Sequence, residues 1–268
     1  MSEQPLIVTR EGPVAFVRLM QPKTLNAINL QSASALLDTL RQLAADNTLR
    51  AVVLSGAGNA FMAGGDLTYL AAGGPGQFAA NADALVERLH EIIQTMVTFP
   101  TPILTMVHGA VAGAGLGIML ASDLTIAVEG TRFVFAYTDL GTSPDGGLTW
   151  FLARTIGIRR ALQFAFINPQ IDAAQALQLG LVEELVSPLA FSERGKVLAT
   201  QLATLPLQAF QRTKRLLLQS IERPLREQLE AERRAFVSCA GSSDFAEGIR
   251  AFQQRRRAHF TLPPISSH

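Results

Sequence analysis

The sequence contains a single cysteine among 268 residues, Cys239, which excludes an internal disulfide and a metal site built from several cysteines. Its four histidines show neither a His-x-x-x-His nor a His-Glu-x-x-His spacing. Zinc ligands usually occur at such short spacings, so we expect no metal site.

Charge is also scarce, at 17% of residues, and 23 basic side chains nearly balance 22 acidic ones. A net charge of +1 gives no global field that would attract nucleic acid, so we expect no nucleic-acid partner. Because 48% of the residues are hydrophobic, a disordered chain is excluded. The first residues lack the basic and then apolar pattern of a secretion signal, so we expect a cytoplasmic protein.

One uncharged hydrophobic run, Ile103–Ala121, approaches the length of a membrane span. Pro102 precedes it, glycines fill its middle and neither end carries a basic anchor. These features favour a buried strand, turn and helix over a span, so we expect no membrane contact.

Strands and helices alternate along most of the chain, which predicts an α/β fold. We predict strands at Leu6–Arg10, Val14–Met20, Ala51–Leu54, Ile103–Val107, Leu124–Val128 and Leu181–Val186. We predict helices after Asn29, at Ala82–Val97, from about Gly113 to Ala121, and from Asp172 to Gly180. From Phe191 onward the pattern is helical, so we predict a boundary near residue 195 between an α/β core (1–195) and a helical C-terminal unit (196–268).

Common nucleotide and hydrolase motifs are absent: there is no P-loop, the dinucleotide fingerprint fails at Ile118, and no Gly-x-Ser-x-Gly occurs. Instead, Phe61–Leu67 and His108–Gly117 each place a glycine-rich turn between a strand and the start of a helix. Glycine lets a ligand approach the main chain, and the first turn of a helix leaves N–H groups unpaired. Two such ends would form an oxyanion hole; tight packing of the two turns is the alternative.

These segments resemble the crotonase (enoyl-CoA hydratase/isomerase) superfamily. The matching motifs are Pro22–Asn29 (PKTLNAIN), Phe61–Leu67 (FMAGGDL), Pro102–Gly117 (PILTMVHGAVAGAGLG), Ala121–Leu124 (ASDL), Thr142–Gly147 (TSPDGG) and Glu247–Arg257 (EGIRAFQQRRR). The resemblance covers essentially the whole chain. It implies a spiral core of ββα units, C-terminal helices that build a homotrimer or a dimer of trimers, an acyl-CoA substrate and no cofactor apart from that coenzyme A.

The resemblance also implies a set of site residues. The two N–H groups that hold the thioester oxygen fall on Gly65 and Ala114. Substrate and coenzyme A contacts fall on Lys23, Thr24, Leu25, Ala63, Gly64, Asp66, Leu67, Tyr137, Arg255 and Arg256. For the two arginines, the alternative is a solvated helix end.

A departure from the family pattern reduces the number of reactions that this chain can be expected to catalyse. Hydratases of the family use two glutamates, and the matching positions here are Gly117 and Tyr137, so hydration by that pair should be absent. Asp145 is the remaining acid, and an aspartate at this position resembles the general base of some family isomerases. The alternative for Asp145 is a helix N-cap that binds main-chain amides.

Two further readings of the chemistry remain open. Asp145 and His90 match the nucleophilic aspartate and the water-activating histidine of 4-chlorobenzoyl-CoA dehalogenases, whose donor tryptophan is matched by Tyr137. His90 also borders an apolar helix face, so a partly buried, hydrogen-bonded histidine without a catalytic task is the alternative. A relative that kept the fold as a structural or RNA-binding protein and lost its chemistry is the third hypothesis.

Overall fold

A computed structural model describes residues 4–260. Its strands are β1 (Leu6–Glu11), β2 (Val14–Leu19), β3 (Ala51–Gly56), β4 (Ile103–Val107), β5 (Ala110–Ala112), β6 (Leu124–Val128), β7 (Arg132–Val134), β8 (Ile171–Asp172) and β9 (Glu184–Val186). Its helices are α1 (Leu30–Ala44), α2 (Leu67–Leu70), α3 (Phe78–Val97), α4 (Ala114–Leu120), α5 (Leu148–Thr155), α6 (Gly157–Ile167), α7 (Ala173–Leu179), α8 (Phe191–Ala203), α9 (Leu207–Ser220), α10 (Leu225–Ala240) and α11 (Ser243–Gln253).

The main sheet has six strands in the order β1-β2-β3-β4-β6-β9. Strands β1 and β2 are antiparallel, and every later neighbour is parallel. Strand β4 is buried along its whole length, as expected for a parallel strand covered on both faces. The strand ends therefore bring the loops that follow β3 and β4 to the same edge of the sheet.

Helix α1 begins where the sequence predicts. The side chain of Asn29 accepts the N–H of Ser32, and the Ser32 hydroxyl accepts the N–H of Asn29, which completes a capping box. Helix α1 packs against α3, whose Leu85 and Leu89 side chains lie next to Gly65 and Gly146.

A smaller sheet, in the order β5-β7-β8, lies beside the main one. Sequence analysis missed β5, because it assigned residues 108–113 wholly to a turn; only three residues pair there, too few for a periodic signal. Helix α3 begins at Phe78 rather than Ala82. The strand predicted at Leu181–Val186 is shorter than expected, since only β9 (Glu184–Val186) forms.

The C-terminal helices are tied to the sheet by buried polar groups. The predicted boundary at residue 195 falls inside helix α8, which packs against β2, β3 and β4. Arg50 is only 4% exposed, and its guanidinium donates to the carbonyl oxygens of Ala203 (3.0 Å) and Leu205 (2.6 Å). On α9, the Lys214 ammonium lies 2.8 Å from the Asp123 carboxylate. Residues 261–268 of the predicted C-terminal unit lie outside the described residues.

The hydrophobic run at residues 103–121 folds as the strand, turn and helix that the sequence favours, namely β4, the turn with β5, and α4. Across residues 4–260, no helix combines the length and apolar character needed to cross a membrane.

Candidate active site

Two glycine-rich loops lie side by side at the edge of the sheet. The first follows β3 and the second follows β4. They are joined by a parallel bridge between Met62 and Val111, in which the Met62 N–H donates to Ala110 O (3.2 Å) and the Ala112 N–H donates to Met62 O (3.0 Å).

This register continues along both loops and sets the residues of interest opposite each other. Two positions beyond the bridge, Gly64 faces Gly113: a β-carbon built on Gly113 would lie 3.6 Å from the Gly64 Cα. Both glycines have left-handed backbone angles, with φ of +97° and +51°. Glycine adopts such angles without strain, and its small size permits the close approach. The next residues in the two loops are Gly65 and Ala114.

The N–H of Gly65 points away from the segment around Ile28. Gly64 O and Gly65 N–H belong to one trans peptide, so they point in opposite directions. Gly64 O accepts the N–H of Ile28 at 2.8 Å, so the Gly65 N–H is directed away from Ile28. Within residues 4–260 this N–H donates to no protein acceptor.

The N–H of Ala114 is oriented in the same way by its helix. Gly113 O accepts the N–H of Leu116 (3.0 Å) and Gly117 (3.4 Å), so the Ala114 N–H on the opposite side of that peptide points out of the N-terminus of α4. It too has no acceptor in the described part of the chain. Two main-chain donors are thus left unpaired in adjacent loops.

Asp145 lies at a tight turn rather than at a helix cap. Its carbonyl accepts the N–H of Leu148 (3.1 Å), and the glycines at 146 and 147 both have positive φ. The N-cap residue of α5 is Gly147, and the cap receives no side-chain hydrogen bond. The N-cap alternative for Asp145 is therefore wrong, because its carboxylate is directed elsewhere.

The partner of that carboxylate is Tyr137, whose hydroxyl donates to Asp145 Oδ1 at 2.5 Å. Tyr137 is 7% exposed, and its ring lies 3.8 Å from the position of a β-carbon on Gly113. The acid is therefore linked through one phenol to the loop that carries Ala114.

The electrostatic environment of this pair keeps Tyr137 protonated and raises the pKa of Asp145. Burial raises the pKa of Asp145 above its ordinary value, while the Tyr137 hydrogen bond and the charge of His90 act in the opposite direction. Burial and the neighbouring Asp145 charge raise the pKa of Tyr137 well above its usual value of 10, so Tyr137 remains a donor at neutral pH.

Gly117, one of the two positions matched to hydratase glutamates, has no room for a side chain. A β-carbon at Gly117 would lie 2.7 Å from the carbonyl oxygen of Gly146. Backbone atoms cannot move aside as the end of a flexible side chain can, so a glutamate there is incompatible with this backbone.

The Gly117→Ala substitution should lower the free energy of unfolding by about 1–3 kcal/mol, because the added methyl overpacks against Gly146. Gly248→Ala is the matched control, since this glycine also lies in a helix but has open space around it. That control should be neutral or stabilise by up to about 1 kcal/mol. Urea unfolding of both variants measures the difference; equal stabilities would show that position 117 tolerates a side chain.

His90 lies on α3 and is exposed, so the alternative of a partly buried histidine is wrong, and a catalytic role of His90 stays a prediction. Its neighbour Leu89 is buried and packs against Gly146. The charge of His90 lowers the pKa of Asp145, in opposition to the effect of burial.

Of the predicted coenzyme A contacts, Lys23, Thr24 and Leu25 lie beside the first loop. They form a single 3₁₀ turn that ends at Leu25, whose carbonyl accepts the N–H of Ala63 at 3.0 Å. The side chain of Leu25 is 42% exposed.

Two groups in the first loop are already engaged within the fold. The Asp66 N–H donates to Ile28 O, and its carboxylate caps α2 by accepting the N–H groups of Thr68 and Tyr69. The N–H groups of Ala63 and Asp66 are therefore both bonded within the fold, and contacts of these residues with coenzyme A stay a prediction. Leu67, by contrast, is 53% exposed at the start of α2.

Arg256 is bound within its own C-terminal segment. Its guanidinium contacts Glu247 at 2.5 and 3.0 Å, and this pairing, with the His259 N–H, holds the pKa of Glu247 at about 2. Arg255 is exposed and has a left-handed backbone angle, φ +50°. Contact of either arginine with the coenzyme A phosphates stays a prediction.

Sequence analysis missed Asn168, which ends α6 and binds the backbone next to Tyr137. Its Oδ1 accepts the N–H of Ala136 at 2.9 Å. No local signal reveals this contact, since the two residues are 32 positions apart; only the helix-ending role of an asparagine could have been read from the sequence.

Comparison with known proteins agrees with this architecture. The chain is 35% identical to a probable enoyl-CoA hydratase of Rhodobacter capsulatus, over 92% of this chain and 94% of that protein. It is 32% identical to the 1,2-epoxyphenylacetyl-CoA isomerase of Escherichia coli, with coverage of 94% and 96%. A 4-chlorobenzoyl coenzyme A dehalogenase of Arthrobacter sp. is 27% identical, with coverage of 95% and 92%.

Among solved structures, an enoyl-CoA hydratase from Polaromonas sp. JS666 superposes with a TM-score of 0.88 at 32% identity, over 96% of this chain and 99% of that one. The sequence model of the enoyl-CoA hydratase/isomerase family matches residues 9–263. With the paired glycine loops and the crotonase fold in place, the chain belongs to the enoyl-CoA hydratase/isomerase family, the crotonase superfamily.

Proposed function

We propose that this protein is a cofactor-free acyl-CoA isomerase that converts a 3-enoyl thioester to a 2-enoyl thioester, with Asp145 as its base. The observation that carries the proposal is the half-buried Asp145 carboxylate, held by Tyr137 next to the loop of Ala114. The two unpaired N–H groups of Gly65 and Ala114 support it, because they are the donors that an enolate oxygen needs.

In this reaction Asp145 removes a proton from C2 of the substrate, and the electron pair moves into the thioester so that negative charge collects on its oxygen. The Gly65 and Ala114 N–H groups bind that oxygen more strongly than the neutral carbonyl, which lowers the barrier by differential binding. The same carboxylic acid then returns the proton at C4, and the double bond ends between C2 and C3. No atom is gained or lost, and no other cofactor is required.

Hydration by the family's glutamate pair is disfavoured by the same geometry. It needs two carboxylates, and Gly117 and Tyr137 supply neither. The backbone at Gly117 also excludes a longer side chain.

The first test is a coupled assay of a 3-enoyl-CoA and a 2-enoyl-CoA with the purified full chain. We expect conversion of the 3-enoyl to the 2-enoyl thioester without added cofactor, and no 3-hydroxyacyl-CoA from the 2-enoyl substrate. Rapid hydration without isomerisation would contradict the proposal.

Removing the Tyr137 hydroxyl should shift the pH dependence of this reaction. The Tyr137→Phe substitution removes the hydrogen bond that favours ionised Asp145, so the pKa of Asp145 rises, and only the charge of His90 and the Asp145 backbone N–H still oppose burial. The base is active only when ionised, so the acid limb of kcat/KM should move to higher pH. A pH–rate profile measures this shift, and a limb that moves to lower pH or not at all would contradict the role given to Tyr137.

Hydrolytic dehalogenation of an aryl-CoA is the second candidate, because the charge of His90 acts on Asp145. Here Asp145 would attack the ring, halide would leave, and His90 would activate the water that cleaves the aryl ester. Single turnover of 4-chlorobenzoyl-CoA in ¹⁸O water separates the candidates. Label in the Asp145 carboxylate would support hydrolysis through an aryl ester. Unlabelled protein would argue against dehalogenation and favour isomerisation.

We also propose that the C-terminal helices join the chains into trimers or paired trimers. Large apolar side chains remain exposed there, including Leu225 (73%), Phe236 (67%) and Phe252 (84%). Such side chains typically mark contact surfaces. Light scattering should give three or six times the mass of one chain, and a monomer would contradict this.

A further inference from the structure

The backbone just before Tyr137 has an unusual conformation for its sequence. Ala136 has a φ of +70°, a left-handed angle that a residue with a β-carbon rarely adopts. Such a conformation persists only where its surroundings hold it. The direction in which the chain enters Tyr137, and hence the position of its hydroxyl, depends on whatever holds this turn.

The side chain of Asn168 forms hydrogen bonds at both ends of this turn. Asn168 Oδ1 accepts the N–H of Ala136 at 2.9 Å, and Asn168 Nδ2 donates to Asp139 Oδ2 at 2.6 Å. Both polar ends of a single amide are therefore used on the two residues that flank the Tyr137–Thr138 segment.

Asn168 is itself rigidly anchored. It ends α6 in the left-handed conformation, φ +47°, and its N–H donates to Phe164 O at 3.1 Å. The Phe164 ring is 2% exposed and packs edge-on against Phe135 (5.9 Å between centroids), which packs in turn on Tyr137 (5.3 Å). Helix α6 thus provides a fixed platform for the turn.

We propose that Asn168 is a positioning residue of the active site: by holding the turn at Ala136 and Asp139 it places the Tyr137 hydroxyl on the Asp145 carboxylate. Asn168 does not touch the reacting atoms and acts through Tyr137. The inference rests on the proposed function, since it assigns Asn168 a part in preparing the proposed base.

The Asn168→Gly substitution tests this, because glycine keeps the left-handed helix end and removes only the side-chain amide. We expect kcat to fall about tenfold with little change in KM, since the acid is misplaced while the binding loops are untouched. Because the Tyr137 hydrogen bond weakens, the acid limb of the pH profile should also move to higher pH, with His90 the remaining charged group that faces Asp145.

A double substitution provides the matched control. Asn168→Asp combined with Asp139→Asn exchanges the two side chains, so that a carboxylate still accepts the Ala136 N–H and an amide still links the two positions. This pair conserves charge and should restore kcat and the pH profile to near the wild-type values. In a Tyr137→Phe background, Asn168→Gly should cause no further loss, because both act through the same hydroxyl.

Nuclear magnetic resonance of ring-labelled tyrosine gives a readout besides activity, since the chain contains only Tyr69 and Tyr137. The Cζ signal of Tyr137 should shift in Asn168→Gly and return in the exchanged pair, while that of Tyr69 stays in place. An unmoved Tyr137 signal and pH profile would overturn the role of Asn168. If instead Asp145→Asn is fully active, the proposed function fails, whatever the tyrosine signal shows.

Discussion

Asp145→Asn is expected to lower the isomerisation rate by about 10³- to 10⁴-fold, because the amide cannot accept the C2 proton. The variant should fold normally, since asparagine has nearly the same shape and its amide oxygen can still accept the Tyr137 hydrogen bond. Acyl-CoA affinity should change little, because Gly65 and Ala114 still offer their N–H groups to the carbonyl. Steady-state kinetics and calorimetric titration measure the two effects separately.

The control for this substitution is Asp83→Asn, which also neutralises one carboxylate but on the exposed surface of α3. Its activity should equal that of the wild type. Full activity of Asp145→Asn would show that Asp145 is not the base. Loss of acyl-CoA binding together with activity would indicate a structural carboxylate instead.

Ala114→Pro is expected to reduce kcat by about 10²- to 10³-fold, because it deletes one of the two main-chain donors. Ala114 is the first residue of α4, where proline is well tolerated, since the N–H at that position has no partner within the helix. The preceding residue is Gly113, which is free of the constraint that a β-carbon would impose there. The substitution removes a single hydrogen-bond donor, but because Ala114 is only 4% exposed the added ring carbons also cost packing, so the free energy of unfolding is measured beside kcat.

Ser243→Pro is the matched control, because Ser243 is the first residue of α11 and is exposed. It removes an equivalent N–H far along the chain from the glycine loops and should leave kcat unchanged. If Ala114→Pro unfolds no more readily than Ser243→Pro and yet retains full kcat, Ala114 does not stabilise the enolate.

The local parts of this fold follow from the sequence because their causes are local. Asn29 and Asp172 cap helices through residues three positions away, so the motif contains both partners. The turns around Gly64 and Gly113 are predictable because glycine between a strand and a helix indicates a left-handed angle. The prediction that these two loops are adjacent came from family resemblance rather than from the residues alone.

Of the contacts that prepare Asp145, the Tyr137 hydrogen bond was suggested only by the family resemblance, and the Asn168 contact was not predicted, because both join separate segments. The Tyr137–Asp145 bond crosses a turn, and the Asn168–Ala136 bond crosses α5 and α6. The internal bonds of Asp66 were missed for a related reason: its N–H donates to Ile28 O from another loop, while its carboxylate caps α2. The exposure of His90 depends on which elements cover α3, which periodicity does not show.

Gly117 shows how one position can limit the chemistry of a fold. The family frame presents two donors to a thioester oxygen, and added carboxylates then determine the reaction. In this chain the close contact between Gly117 and Gly146 excludes one carboxylate, and Tyr137 replaces the other with a donor that holds Asp145. Under the proposed function, one acid and two N–H groups suffice to move a proton between two carbons.

The most direct test of this account is a crystal structure of the Asp145→Asn variant with a 3-enoyl-CoA bound. The account predicts a thioester oxygen within about 3 Å of both the Gly65 and the Ala114 nitrogens, with the side chain at position 145 beside C2 and C4. A thioester oxygen held elsewhere, or a side chain at position 145 turned away from both carbons, would contradict it.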